Sequence, residues 1–271
     1  MTYLTGERGV AHMAKVIAIA TQKGGVGKTT SSLEISAALA IEHDMRVLLI
    51  DFDSQRNLSL NLDQKNAKVT IYDVLHDPSR FNDAVVKTDY FDFIPGSEGL
   101  SKADIEFNKS DDVFLLDDVF EPIKDNYDFI VLDGGPQRNK LFEMIYVAAD
   151  YVIAPCDNTE FGSEGLINVY QDIEKLKNAR VPLSSAQVIG AIVTKYEENT
   201  KVDKAAVKIL ENVMKKINKK AFVMTAAKCV LASESKYERK SLQEYAPYST
   251  TAIDYKNITK AILKYIEKED K

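Results

Sequence analysis

The chain has 271 residues, of which 45% are hydrophobic and 28% charged, and a formal net charge of −6 at pH 7. That composition is ordinary for a globular protein long enough to bury a sizeable α/β core, and it excludes fibrous and low-complexity classes. No apolar run reaches the length of a membrane span and no secretory leader is recognisable. The two cysteines, Cys156 and Cys229, lie far apart in no metal-ligand spacing and read as reduced core thiols of a cytosolic protein.

Residues 1–12 lack periodicity, and His12-Met13 has the look of a cloning junction. We read 1–12 as a tag or leader, Met13 as a native start and 13–271 as a single domain. The first apolar run, Val16–Ala20, predicts a strand. Ser31–Ile41 predicts a helix, and between them lies Thr21-Gln22-Lys23-Gly24-Gly25-Val26-Gly27-Lys28-Thr29-Thr30. A strand that ends in a glycine-rich turn and restarts as a helix aims backbone N–H groups and the positive helix pole at one point, which suits phosphate. In such a loop Lys28 reaches the β- and γ-phosphates and the Thr29 hydroxyl binds Mg²⁺.

Val47–Asp53 follows as a continuous apolar run closing in two carboxylates, Asp51 and Asp53. Further runs stand at Phe91–Ile94, Phe129–Leu132, Tyr151–Ala154, Val188–Val193 and Ala221–Met224. Helical patterns separate them at Val69–Leu75, Val113–Lys124, Leu141–Ala149, Gly165–Lys177, Val202–Asn218 and Ile253–Lys268. Strands uniformly apolar and alternating with helices predict a mostly parallel, twisted sheet of about seven to eight strands with helices on both faces. Ligands in such sheets sit beyond the carboxyl ends of the strands, where Asp51, Asp53 and Asp133 fall. An apolar strand closing in Asp133 is the Walker B arrangement for holding Mg²⁺, although such an Asp can also simply cap the next helix.

The phosphate loop departs from G-x-x-x-x-G-K-[ST], because Gln22 stands where the first glycine belongs and Lys23 is an added lysine. Lys23-Gly24-Gly25-Val26-Gly27-Lys28-Thr29 resembles the deviant Walker A of the ParA/MinD class of P-loop ATPases, and Val47–Gln55 resembles that family's second signature. The similarity extends over nearly all of residues 13–271, through Phe93–Leu100, Ala149–Pro155 with Glu160, Glu164, Gly165 and Leu166, Gly190–Tyr196 and Lys228–Ser235. It implies that residues 23–30, including Gly24, Gly25, Val26, Gly27 and Thr30, cradle ATP with Thr194 and Ala227 near the base. It implies Mg²⁺ held by Thr29, Asp51 and Asp133, and an attacking water positioned by Asp53. Lys23 is implied to cross to the nucleotide of a second subunit, which makes hydrolysis conditional on dimerisation. The sequence departs from the family at Gly134-Gly135-Pro136, where a Cys or Thr and two prolines are usual, and at Glu197-Glu198-Asn199-Thr200, which lacks an arginine.

Between Lys201 and Lys240 eleven Lys/Arg stand against four Asp/Glu, a local +7 that leaves −13 elsewhere. This is either a solvated helix face or a basic surface. The resemblance implies nonspecific DNA binding, with Lys228, Lys236, Arg239 and Lys240 as the candidate contacts. It also implies a homodimer on ATP binding, a centromere-binding partner that stimulates slow basal hydrolysis, and a cytoplasmic, nucleoid-associated role in plasmid or chromosome segregation. The short stretch between Met13 and the loop matches the form without an N-terminal helix-turn-helix. The alternatives are a MinD-like membrane-cycling ATPase, a protein-cargo positioning ATPase and, with the same loop, a metal-cluster reductase. The mixed-charge tail Glu267-Lys268-Glu269-Asp270-Lys271 does not suit an anionic surface, and the stripe Ile258, Ile262, Tyr265 and Ile266 reads as core packing, so no membrane partner is expected.

Overall fold

The computed structural model describes residues 13–136, 138–158 and 162–270; the expected leader 1–12 and Glu160 lie outside the described residues. The chain begins with β1 (Lys15–Ile19), α1 (Lys28–His43) and β2 (Val47–Phe52). Short elements follow: α2 (Asn57–Asn61), α3 (Ile71–His76), α4 (Phe81–Ala84), β3 (Val86–Lys87), β4 (Asp92–Ile94), α5 (Ala103–Glu106) and α6 (Leu115–Phe120). Regular alternation then resumes with β5 (Phe129–Gly134), α7 (Lys140–Ala148), β6 (Tyr151–Cys156), α8 (Gly162–Lys177), β7 (Gln187–Tyr196), α9 (Lys201–Ile217) and β8 (Phe222–Ala227). Three helices close the chain: α10 (Leu231–Tyr237), α11 (Leu242–Tyr245) and α12 (Thr250–Glu269).

The strands form one eight-stranded sheet in the order β3-β4-β2-β5-β1-β6-β7-β8, and every pairing is parallel except β3 with β4. Alternation along β1 explains why its apolar run is unbroken. Val16 and Ala18 face one buried layer, with Leu141 and Met144 of α7, Leu166 and Val169 of α8, and Leu210 of α9. Ile17 and Ile19 face the other, with Leu33 and Leu39 of α1 and Ile258 and Ile262 of α12. A strand covered on both sides has no polar side to present. The C-terminal stripe is core, since Ile258, Ile262, Tyr265 and Ile266 are all buried. Among the described residues no helix is long and apolar enough to cross a membrane.

Two elements differ from expectation. The antiparallel strand β3 has two residues, too few for any periodicity, and sits at the sheet edge. The predicted helix Val113–Lys124 is α6 flanked by 3-10 turns at Ser110–Phe114 and Glu121–Asn126. Pro122 lacks the N–H that would extend α6.

Candidate active site

Gly25 and Gly27 lie at φ +73° and +85°, in the left-handed region that side chains disfavour. A Cβ on Gly27 would also stand 3.2 Å from Thr194 Cγ2. Gly27 caps α1 without a side chain, and no acidic residue occupies the first turn, so the N–H groups at that pole remain open to an anion. Val26 is buried, Gly24 is exposed, and Thr29 and Thr30 are half-buried at the start of α1. The loop is braced from three sides. Lys28 Nζ donates to Lys23 O at 2.9 Å, Lys195 Nζ to Gly25 O at 2.9 Å and Thr194 Oγ1 to Val26 O at 2.8 Å. Lys195 reaches the loop because its own φ of +54° breaks the register of β7 with β8 between Val193 and Tyr196.

Parallel register sets the carboxylates. Ile19 of β1 pairs with Asp133 of β5, and Asp51 of β2 pairs with the same Asp133. Both aspartates are fully buried, and desolvation first, then their mutual repulsion for Asp133, pushes both carboxyls above the usual range. Hydroxyls of Ser32 and Thr29 and the charge of Lys28 oppose that rise at Asp133. Ser32 Oγ donates to Asp133 Oδ1 at 2.9 Å, whereas Oδ2 is buried with no hydrogen-bond partner among the described residues. A buried, unsatisfied carboxylate oxygen beside the Thr29 hydroxyl and the Lys28 ammonium fits a divalent cation, which would restore the charged form.

Asp51 differs from Asp133 in that both its oxygens are committed. Oδ1 accepts from Asp53 N at 3.0 Å, and Oδ2 from Ser59 N at 2.9 Å and Ser59 Oγ at 2.6 Å. Its geometry fixes the turn after β2 that carries Asp53. Asp53 is 6% exposed, and Oδ1 accepts from Gln55 N at 2.9 Å. Gly135 passes close to it, for a Cβ there would lie 3.3 Å from Asp53 Oδ1. The glycine pair after Asp133 thus lets the following segment press against Asp53. Burial lowers the Lys28 ammonium below its usual range, while Asp133 and Asp53 counter it.

Lys23 does not point away from its own subunit. Its Nζ lies 2.7 and 3.0 Å from the two oxygens of Asp157, just past the end of β6. Asp157 was not anticipated, yet the signal was present: it follows the buried apolar strand β6, much as Asp133 closes the apolar run Phe129–Leu132 within β5.

The AAA domain family model matches residues 14–185. Over 239 residues the chain is 30% identical to the chromosome partitioning protein ParA of Myxococcus xanthus, covering 86% of this chain and 82% of that one. The chain belongs to the ParA family of partition ATPases. It is likewise 30% identical over 259 residues to the sporulation initiation inhibitor protein Soj of Bacillus subtilis, covering 92% and 98% of the two chains. Among solved structures, a putative plasmid partition protein from Borrelia burgdorferi bound to AMPPNP superposes with a TM-score of 0.75 at 25% identity, covering 93% of this chain and 99% of that one.

Several of the remaining positions expected from the ParA resemblance are held by internal contacts. Besides Val26 O, the Thr194 hydroxyl reaches Cys156 O at 3.3 Å. Ala227 N donates to Asp254 Oδ2 at 2.8 Å, and Ala227 O accepts from Thr251 Oγ1 at 2.8 Å, so this peptide is clamped to the start of α12. Of the four candidate DNA contacts, Lys228 pairs with Glu197 at 2.7 Å. Lys236 is half-buried, and its ammonium is lowered by burial and by Lys195. Arg239 donates to Leu60 O and faces Asp63. Lys240 is exposed with no side-chain partner among the described residues.

Proposed function

We propose that this ParA-family chain binds ATP and Mg²⁺, pairs face to face with a second copy around two nucleotides, holds DNA without sequence preference in that state, and is reset when a centromere-bound partner protein stimulates hydrolysis. The observation that carries this reading is the uncapped, acid-free start of α1 beside the buried Asp133, whose Oδ2 has no protein partner among the described residues. Backbone N–H groups of residues 24–30 bind phosphate oxygens, and Lys28 supplies charge to the β- and γ-phosphates. Thr29 and Asp133 would hold Mg²⁺, which neutralises phosphate charge, and Asp51 supports the cation indirectly by fixing the turn after β2.

Asp53 orients the attacking water with the oxygen that Gln55 N does not engage. Lys23 leaves Asp157 and crosses to the partner's phosphates. Where an arginine plays that part, a second-subunit cation is worth about 10³–10⁵ in rate. A membrane-cycling role is less well supported, because the apolar face of α12 is spent on the core. The protein would be nucleoid-bound with ATP and free in the cytoplasm without it.

Random-sequence duplex binding by the purified protein with ATP, ADP or no nucleotide, alongside sedimentation, tests the proposal. ATP-dependent dimerisation with ATP-dependent, salt-sensitive DNA binding is the expected result. Dimerisation without DNA binding removes the DNA role and leaves the nucleotide cycle. Loss of neither dimer nor turnover in Lys23→Ala removes the crossing role of Lys23.

A further inference from the structure

We propose that the outward face of α9, and not the α10 segment, is the principal surface that grips duplex DNA; this rests on the DNA-binding part of the proposed function. In α9, Asp203, Ala206, Leu210 and Met214 face inward. At about 100° per residue, Lys201, Lys204, Lys208 and Lys215 fall within an arc of about 60° on the opposite side and extend over about 21 Å. All four are exposed, and none makes an ion pair among the described residues. That contrasts with Lys228 and Arg239, which are engaged with Glu197 and with Leu60 O, and with Lys236, which is partly withdrawn from water.

Helix stability does not account for these lysines. Lys201 and Lys204 stand in the first turn, at the positive pole, where carboxylates stabilise and ammonium groups do not. The cap is already supplied by Thr200 Oγ1, which accepts from Asp203 N at 3.2 Å, and by Asp203 Oδ2, which accepts from Glu197 N at 2.9 Å. Within α9 the exposed acid is Glu211, at the margin of the stripe. The stripe opens the segment 201–240, which carries a local +7 on a chain otherwise at −13, a charge separation that draws in a polyanion from solution.

The partner fits DNA better than lipid. The apolar side of α9 is fixed in the core, and beside the stripe the exposed large aliphatic residues are Val202 and Ile209, on one flank about 10 Å apart with the small Ala205 between them. Two branched side chains and an alanine, with no exposed aromatic or leucine beside them on α9, give little apolar area to bury below a headgroup layer, so the lysine stripe makes its contacts to phosphates at the surface. With one charge per about 1.7 Å of duplex axis, a stripe of about 21 Å spans on the order of a dozen phosphates.

The test compares wild type with Lys204→Gln/Lys208→Gln/Lys215→Gln and with Lys228→Gln/Lys240→Gln, each first checked for cooperative unfolding. Anisotropy of a labelled random duplex is read with ATP across a salt series. The α9 variant is expected to reduce the slope of log affinity against log salt by about 2.7, at about 0.9 per phosphate contact, and to lose more than about tenfold in affinity near 0.2 M salt. The other variant is expected to lose less. An α9 variant that binds as wild type does overturns the location while the DNA role stands. A wild type that binds no duplex overturns both. Binding to phosphatidylglycerol vesicles instead of duplex, abolished in the α9 variant, reassigns the surface to lipid.

Discussion

Glu34 lies in α1, only 2% exposed, and its carboxylate receives the start of α11. Leu242 N donates to Oε1 at 2.8 Å, while Gln243 N and Nε2 approach Oε2 at 3.3 and 3.4 Å. Burial nevertheless dominates, pushing the carboxyl up from 4.5 to about 7. The folded chain therefore keeps this proton over a range in which the unfolded chain has released it. For an acid raised in this way, the stabilising contribution is full below about 4.5 and is lost as pH rises toward about 7. The gap of about 2.5 pH units, at about 1.4 kcal/mol each, corresponds to on the order of 3 kcal/mol. Glu34→Gln abolishes the titration but keeps one acceptor for Leu242 N. Urea unfolding of both proteins from about pH 4.5 to 8 is expected to show the variant gaining on wild type by a few kcal/mol across the window, on top of a constant offset because its amide N–H faces the Gln243 donors. A difference that stays flat with pH refutes the reasoning, since the carboxylate would then not be carried into the fold as a desolvated group.

Three further outcomes are expected. Asp157→Asn costs about 0.5 kcal/mol of stability, because the Lys23 pair is partly exposed, but it weakens the hold of Asp157 on Lys23 and lowers the protein concentration at which ATP drives dimerisation in sedimentation; weaker dimerisation would refute that. Asp133→Asn removes a buried charge that the folded chain disfavours, so the cation-free protein melts no lower at pH 8, while the added thermal stabilisation from Mg²⁺ with ATP disappears. Retention of that Mg²⁺ increment would show the cation is held elsewhere. Gly190→Ala places a Cβ 2.3 Å from the Phe222 ring between β7 and β8, and is expected to cost about 1–3 kcal/mol by chemical denaturation. An unchanged midpoint would mean that the ring moves freely.

What could be read from the sequence was whatever a short window encodes. Buried parallel strands reveal themselves as unbroken apolar runs, and Lys23–Thr30 carries its chemistry in adjacent residues. The carboxylates at the ends of β2 and β5 were legible as residues, but their division of labour was not. It depends on Ser59 and Ser32, which meet Asp51 and Asp133 only after folding. The Lys23–Asp157 pair joins positions 134 apart, and the burial of Glu34 under α11 joins positions 208 apart, so no local pattern announces either. The basic segment was visible as a charge excess, but charge alone does not say which lysines are already occupied. Lys228 falls in a family-like segment yet is paired with Glu197, and Arg239 beyond it is bonded to Leu60 O, whereas the lysines of α9 match no such segment and make no ion pair among the described residues.

The bracing of the phosphate loop has a kinetic consequence. Carbonyls of Gly25 and Val26 are held by Lys195 and Thr194 from the β7 side. Because a trans peptide points its N–H opposite to its C=O, the N–H groups of Val26 and Gly27 are turned the other way before any anion arrives. The loop does not have to order itself around an incoming triphosphate, so little conformational entropy is lost on docking. Capture should then approach the encounter-limited rate, and discrimination among ligands should appear chiefly in how fast they leave.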